Sequence, residues 1–139
     1  MATMTDVWVL NTEKKKLVQY QKFAELIRQM PTLLAIDAQQ VRNQLLTLLS
    51  MLHSHISLIT FQMSKAPQLE SLFDQQKQAI IISLRIIEEQ ARTELRNLDL
   101  ELLLKQIAKA EELSHTILTA KEKSSPFLKL KSVAASRAA

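Results

Sequence analysis

Apolar residues recur at steps of three and four along nearly the whole chain, the pattern of helices that each bury one face. From Glu13 to Met30 the stripe runs through Leu17, Tyr20, Ala24 and Ile27, with Phe23 and Met30 beside it. Pro31 is expected to end this first helix, because its ring disfavours helical geometry in the preceding residue. Upstream, Thr5 or Asp6 is placed to cap an early turn around Trp8.

Asp37 opens a second helix, with Gln40 three residues on in a capping-box-like arrangement. Val41, Leu45, Leu48, Leu52, Ile59 and Met63 mark one face, and Leu46, Leu49 and Ile56 widen it. Pro67 closes this segment at about 28 residues, about 40 Å at the helical rise. Proline also suits the first turn of the next helix. There Leu69, Phe73, Ile80, Leu84, Ile87, Ala91, Leu95 and Leu98 continue at helical steps. Asn97 or Asp99 is a weak boundary without proline or glycine, so the third and fourth segments read either as two helices or as one kinked helix. Leu100, Leu104, Ile107 and Ile117 carry the stripe to about Glu122.

Composition sharpens this picture. The 139 residues contain no glycine, no cysteine and three prolines. Without glycine, tight hairpin turns, bulges, phosphate loops and left-handed caps lose their usual residue. The fold class is therefore all-α: an antiparallel helical bundle of three to four helices, with a long second and third. Its expected core is Leu45, Leu48, Leu52, Ile59, Ile80, Leu84, Ile87, Leu95, Leu104 and Ile107. Aromatics make up only 4% of residues, so that core is aliphatic. Residues 1–123 form the bundle domain, and 124–139, opening on a Ser-Ser-Pro breaker, read as a basic flexible tail.

Charge places the positive excess outside the bundle. The net charge is +4, yet all 14 acidic residues lie at or before Glu122, and four of the 18 basic residues follow it. The body is formally neutral, whereas a phosphate-tracking protein carries its charge on a folded face. Lys14, Lys15 and Lys16, with Glu13 beside them, read as a solvated helix start. Nucleic acid is thus a minor reading, supported by the basic tail alone.

The segment from Asn43 to Ser64 contains no Asp, Glu, Lys or Arg. It is long enough to cross a bilayer, but Asn, Gln, Ser, Thr and His interrupt it throughout. A central bundle helix covered on more than one side is the expected role, since uncharged polar groups tolerate burial when hydrogen-bonded.

Candidate chemistry is sparse. His53 and His55, two apart on a helix, point in different directions and do not converge on one ion. Glu112 and His115 have the Glu-x-x-His spacing of helical di-iron sites, which need the pair twice plus two further glutamates. The lysine-glycine pair that follows the histidine of a phosphotransfer bundle is absent. Lipase-type, Walker-type and HExxH motifs are absent too. The expectation is a non-enzymatic module without metal, cofactor or small-molecule substrate: a scaffold, adaptor or assembly subunit contacting a protein partner or its own copy.

Leu46, Leu49, His53 and Ile56 are its expected contact residues, since they widen the second stripe beyond what one hairpin partner covers. Phe127, Leu128 and Leu130 form a second candidate patch, steered by Lys129 and Lys131 toward an acidic groove. The alternative is a small chaperone or regulator gripping an amphipathic segment of a partner. The lack of cysteine and of a basic-plus-apolar N-terminal stretch points to a cytoplasmic setting. No motif is specific enough to suggest a family.

Overall fold

A computed structural model describes residues 4–90 and 99–124. Its elements are α1 (Met4–Ile36), α2 (Ala38–Lys65), a 3-10 turn at Pro67–Leu69, α3 (Glu70–Gln90) and α4 (Leu100–Ser124). Among the described residues there is no strand and no positive φ, as the missing glycines require. The helices run up, down, up, down. Asp6 near the start of α1 pairs with Lys121 near the end of α4, and Lys16 of α1 reaches Gln62 late in α2.

Each helix buries a stripe at alternating steps of three and four, the spacing of coiled-coil packing. In α1 the buried residues include Glu13, Lys16, Tyr20, Phe23, Ile27 and Met30. In α2 they are Val41, Leu45, Leu48, Leu52, His55, Ile59 and Gln62. Leu69, Phe73, Gln76, Ile80, Ser83 and Ile87 do the same for the 3-10 turn and α3, and Leu103, Ile107, Ala110, Ser114, Ile117 and Lys121 for α4. Burying a Leu or Ile side chain contributes about 1.5–3 kcal/mol, and the four stripes meet in one core, mostly aliphatic but with the rings of Tyr20, Phe23 and Phe73 buried in it, against the expectation of a purely aliphatic one.

Helix ends follow local chemistry. The Asp37 side chain accepts from the backbone N–H groups of Gln39 and Gln40, at 3.1 and 3.3 Å. Asp99 likewise accepts from the N–H of Leu102 at 2.9 Å, which fixes the start of α4. Pro67 sits at the first position of the 3-10 turn that leads into α3.

Several expectations about the helices need correction. Pro31 does not end α1, which continues to Ile36. Its ring is exposed, while Leu33 and Leu34 beyond it pack against the core and hold the last turn in place. Residues Met4 to Asn11 are no separate turn but the first part of the same helix, where Trp8 meets Phe61 edge-on at 5.5 Å. In α4 it is Leu103 that is fully buried, with Leu104 half-buried beside it, a shift of one position in the stripe. Ala91, Leu95, Asn97 and Leu98 lie outside the described residues, as does the tail after Ser124.

Candidate functional site

The ionisable residues of most chemical interest are sealed inside the bundle. Glu13 and Lys16, expected as part of a solvated helix start, are both 0% exposed. The reason is phase: three- and four-residue steps back from Tyr20 land on Lys16 and Glu13, so both occupy core positions. Only Lys15 of the lysine run is exposed.

Lys16 Nζ donates to Glu13 Oε1 at 2.9 Å, Gln62 Oε1 at 2.8 Å and Gln76 Oε1 at 2.5 Å. It uses all three of its protons, and the Phe73 ring lies 5.3 Å from it. Glu13 in turn accepts from Ser114 Oγ at 3.0 Å and from Gln62 Nε2 at 2.7 Å. Gln76 Nε2 donates to the Ala110 carbonyl at 2.9 Å and to Ser114 Oγ at 2.7 Å. One residue or more from each of the four helices thus joins a single, fully hydrogen-bonded layer with no net charge. Burial lowers the Lys16 ammonium to about 8, with the attraction of Glu13 opposing the shift.

One turn along α1, the Tyr20 hydroxyl lies 2.6 Å from His55 Nε2, and the tautomer of the ring sets the direction of this hydrogen bond. Burial brings His55 down to about 3, and the Lys16 charge adds to the shift. Burial, then the Glu13 carboxylate, holds the Tyr20 phenol well above its usual value. His55 is therefore neutral at physiological pH, packed edge-on against Tyr20 and Phe23. His53, two residues away, points outward to Glu88 of α3 at 3.7 Å.

The expected contact residues lie on the side of α2 that faces α3. Leu46 is 65% exposed and His53 is exposed. Leu49 and Ile56 are half-buried against the core, so α3 already covers part of the widened stripe. Phe127, Leu128 and Leu130 lie outside the described residues. By length and composition α2 would suffice to cross a membrane, and its buried stripe here faces the other three helices.

Sequence reasoning missed the polar layer, although a signal for it exists. Glu13, Lys16, Gln62, Gln76 and Ser114 each stand where the local stripe demands an apolar residue. The α1–α2 seam is the more sparsely packed side of α1. It opens into shallow clefts of about 470 Å³, bounded by Glu25, Arg28 and Gln44 among others, and about 260 Å³, beside Phe23, Met51 and His55. Among the described residues no three His, Asp or Glu side chains gather as a metal site. No protein-family model, no curated protein and no solved structure matches this chain.

Proposed function

We propose that the protein is a non-enzymatic helical interaction module, a scaffold, adaptor or assembly subunit, that docks a protein partner or a second copy through the outer face of α2. The observation that carries this reading is a face without charge. From Asn43 to Ser64, about six turns of helix, no Asp, Glu, Lys or Arg occurs, while Asn43, Leu46, Thr47, Ser50, His53, Ser57 and Phe61 are exposed. A solvated surface normally mixes charges of both signs, whereas the centre of an interface is depleted of them. Leu46 and Phe61, 65% and 51% exposed, supply apolar anchors on this band. Several of its hydroxyls bond back to the helix, as Thr47 does to the Asn43 carbonyl and Ser57 to that of His53, which lowers their need for water. The same proposal leaves catalysis out: Glu13, Lys16 and Tyr20 are 0% exposed, and His55, 3% exposed at the edge of a shallow cleft, is engaged with the Tyr20 hydroxyl.

Leu46→Glu tests it. Leu49→Glu is the poorer probe, since Leu49 packs on the core and a charge there would also destabilise the bundle. Leu46→Glu should abolish self-association in light scattering, or retention of the partner on affinity purification from the native source, with a melting curve unchanged. An unaltered complex in that variant refutes the reading.

A further inference from the structure

We propose that α1 and α2 can straighten into one continuous helix, so that two copies exchange α1 and form a reciprocal, domain-swapped dimer. A single residue, Asp37, separates Ile36 of α1 from Ala38 of α2. Connections between antiparallel helices normally take two to five residues. The segment from Thr32 to Val41 contains neither glycine nor proline, so every residue in it is compatible with a helix.

Asp37 is already half inside the helical ladder. Its N–H donates to the Leu33 carbonyl at 2.7 Å and its carbonyl accepts from Val41 N–H at 3.4 Å. Only its φ of −152° and ψ of 97° depart from helical values. Turning those two angles would exchange two side-chain caps, on Gln39 and Gln40, for backbone bonds from the N–H groups of residues 38, 39 and 40 to the carbonyls of 34, 35 and 36.

The buried stripe keeps phase through this point. Met30 and Val41, both 2% exposed, are eleven residues apart, three turns of an unbroken helix. A straightened α1–α2 therefore presents one continuous apolar face, with Leu34 between.

The polar layer selects a second copy as the occupant of the vacated place. If α1 left the bundle alone, Glu13 and Lys16 would leave with it and strand Gln62, Gln76 and Ser114 in an open apolar trough. An α1 from another copy of this chain restores every one of those bonds, because it brings the same Glu13 and Lys16. Any other helix lacks the matched pair. Both seams of α1 must part in the exchange, the sparsely packed one against α2 and the dense one against α4, and the incoming α1 rebuilds both; Ile36 at the hinge, 79% exposed, would gain cover where two bundles meet end to end. The exchange leaves the outer face of α2 unused, so this inference and the docking proposal fail separately.

The test uses opposed hinge variants of the full chain, passed through partial unfolding in urea at high concentration and returned to buffer, then sized by sedimentation velocity. Asp37→Ala removes the cap from each of the two monomers that combine, while the straight hinges of the dimer never use it, and should raise the dimerisation constant about thirty-fold. Ala38→Pro suits the first turn of a capped helix but not the interior of a straight one, and should keep the protein monomeric. The double variant Asp37→Ala, Ala38→Pro should revert to monomer, which separates hinge straightening from a folding defect.

Exchange itself is read by Asp6→Cys with Lys121→Cys in the Asp37→Ala background, joined by a short bis-maleimide. These positions lie across the α1–α4 contact, and the chain has no other cysteine. A swapped dimer gives chains linked to each other on a denaturing gel. Chains linked only to themselves within a dimer, an Ala38→Pro variant that dimerises as Asp37→Ala does, or an Asp37→Ala variant that stays monomeric would each overturn the proposal.

Discussion

Replacing Lys16 by methionine removes one positive charge and keeps most of the side chain's volume. Three acceptors lose the lysine donor at once: Gln62 Oε1, Gln76 Oε1 and Glu13 Oε1, the last keeping only its bond from Ser114 Oγ. Glu13 is 0% exposed, so its carboxylate has no water to turn to and must either stay ionised without its partner or take up a proton. Breaking a buried pair from one side costs about 3–5 kcal/mol. The two amide oxygens add to that, offset in part because methionine no longer has to be stripped of hydration. About 4 kcal/mol is the expected loss, which lowers the melting temperature by roughly 12–16 °C for a domain of this size. Urea unfolding followed by far-ultraviolet circular dichroism at neutral pH gives the number, provided the slope of the transition is unchanged. Glu13→Gln combined with Lys16→Met removes both charges and should recover at least half of the loss, giving a coupling of more than about 2 kcal/mol. Lys15→Met, on the exposed side of the same turn, is the control and should stay within about 0.5 kcal/mol. A Lys16→Met protein that unfolds within about 1 kcal/mol of the parent refutes the buried pair.

Acid should unfold the protein partly through His55, whose value falls from 6.5 to about 3 on folding. Between those values the unfolded chain binds the extra proton, so stability present above pH 6.5 is lost as the pH drops toward 3, by up to about 1.4 kcal/mol per pH unit. His55→Gln keeps a partner for the Tyr20 hydroxyl and should flatten that arm; an equally steep arm in the variant counts against the assignment. Pro31→Ala should raise stability by about 2 kcal/mol, because an exposed proline inside α1 withholds a backbone bond that alanine restores. A neutral or destabilising result would mean that Pro31 itself takes part in how α1 packs.

The architecture was legible because it rests on periodicity. Leu45, Leu48, Leu52, Ile59, Ile80, Leu84, Ile87 and Ile107 are all buried, as their spacing requires. Asp37 and Asp99 cap the helices that follow them, as short acceptor side chains before an apolar stripe should. Pro31 misled because a local rule about the preceding residue gave way to tertiary contacts of Leu33 and Leu34. The lysine run misled for a related reason. Charge is a strong prior for exposure, and it obscured the phase that places Lys16 on the inner face. Partners cannot be read in the same way: Gln62, Gln76 and Ser114 come from three different helices, and no local pattern announces that they converge on one buried ion pair.

The polar layer also answers a difficulty that the periodicity creates. Four helices with the same three-four stripe of aliphatic residues fit together in many ways, since sliding one helix by a heptad brings Leu or Ile opposite Leu or Ile again. Such a core would be stable and poorly specified. With Lys16 and Glu13 on α1, a one-heptad slip of α2 brings His55 to the height of Gln62. A one-heptad slip of α3 puts Leu69 or Ser83 in place of Gln76, and one of α4 puts Ile107 or Lys121 in place of Ser114. Each exchange removes an amide or hydroxyl that the buried pair needs, and leaves charge without its bonds. The cost falls on every register but one. Because all four helices contribute, the same layer fixes their mutual heights with no help from loops, and the α1–α2 and α2–α3 connections are indeed short. That division of labour explains how a hinge of one residue can suffice: the loop need not position α1, since the layer does, whether the α1 that enters belongs to the same chain or to another copy.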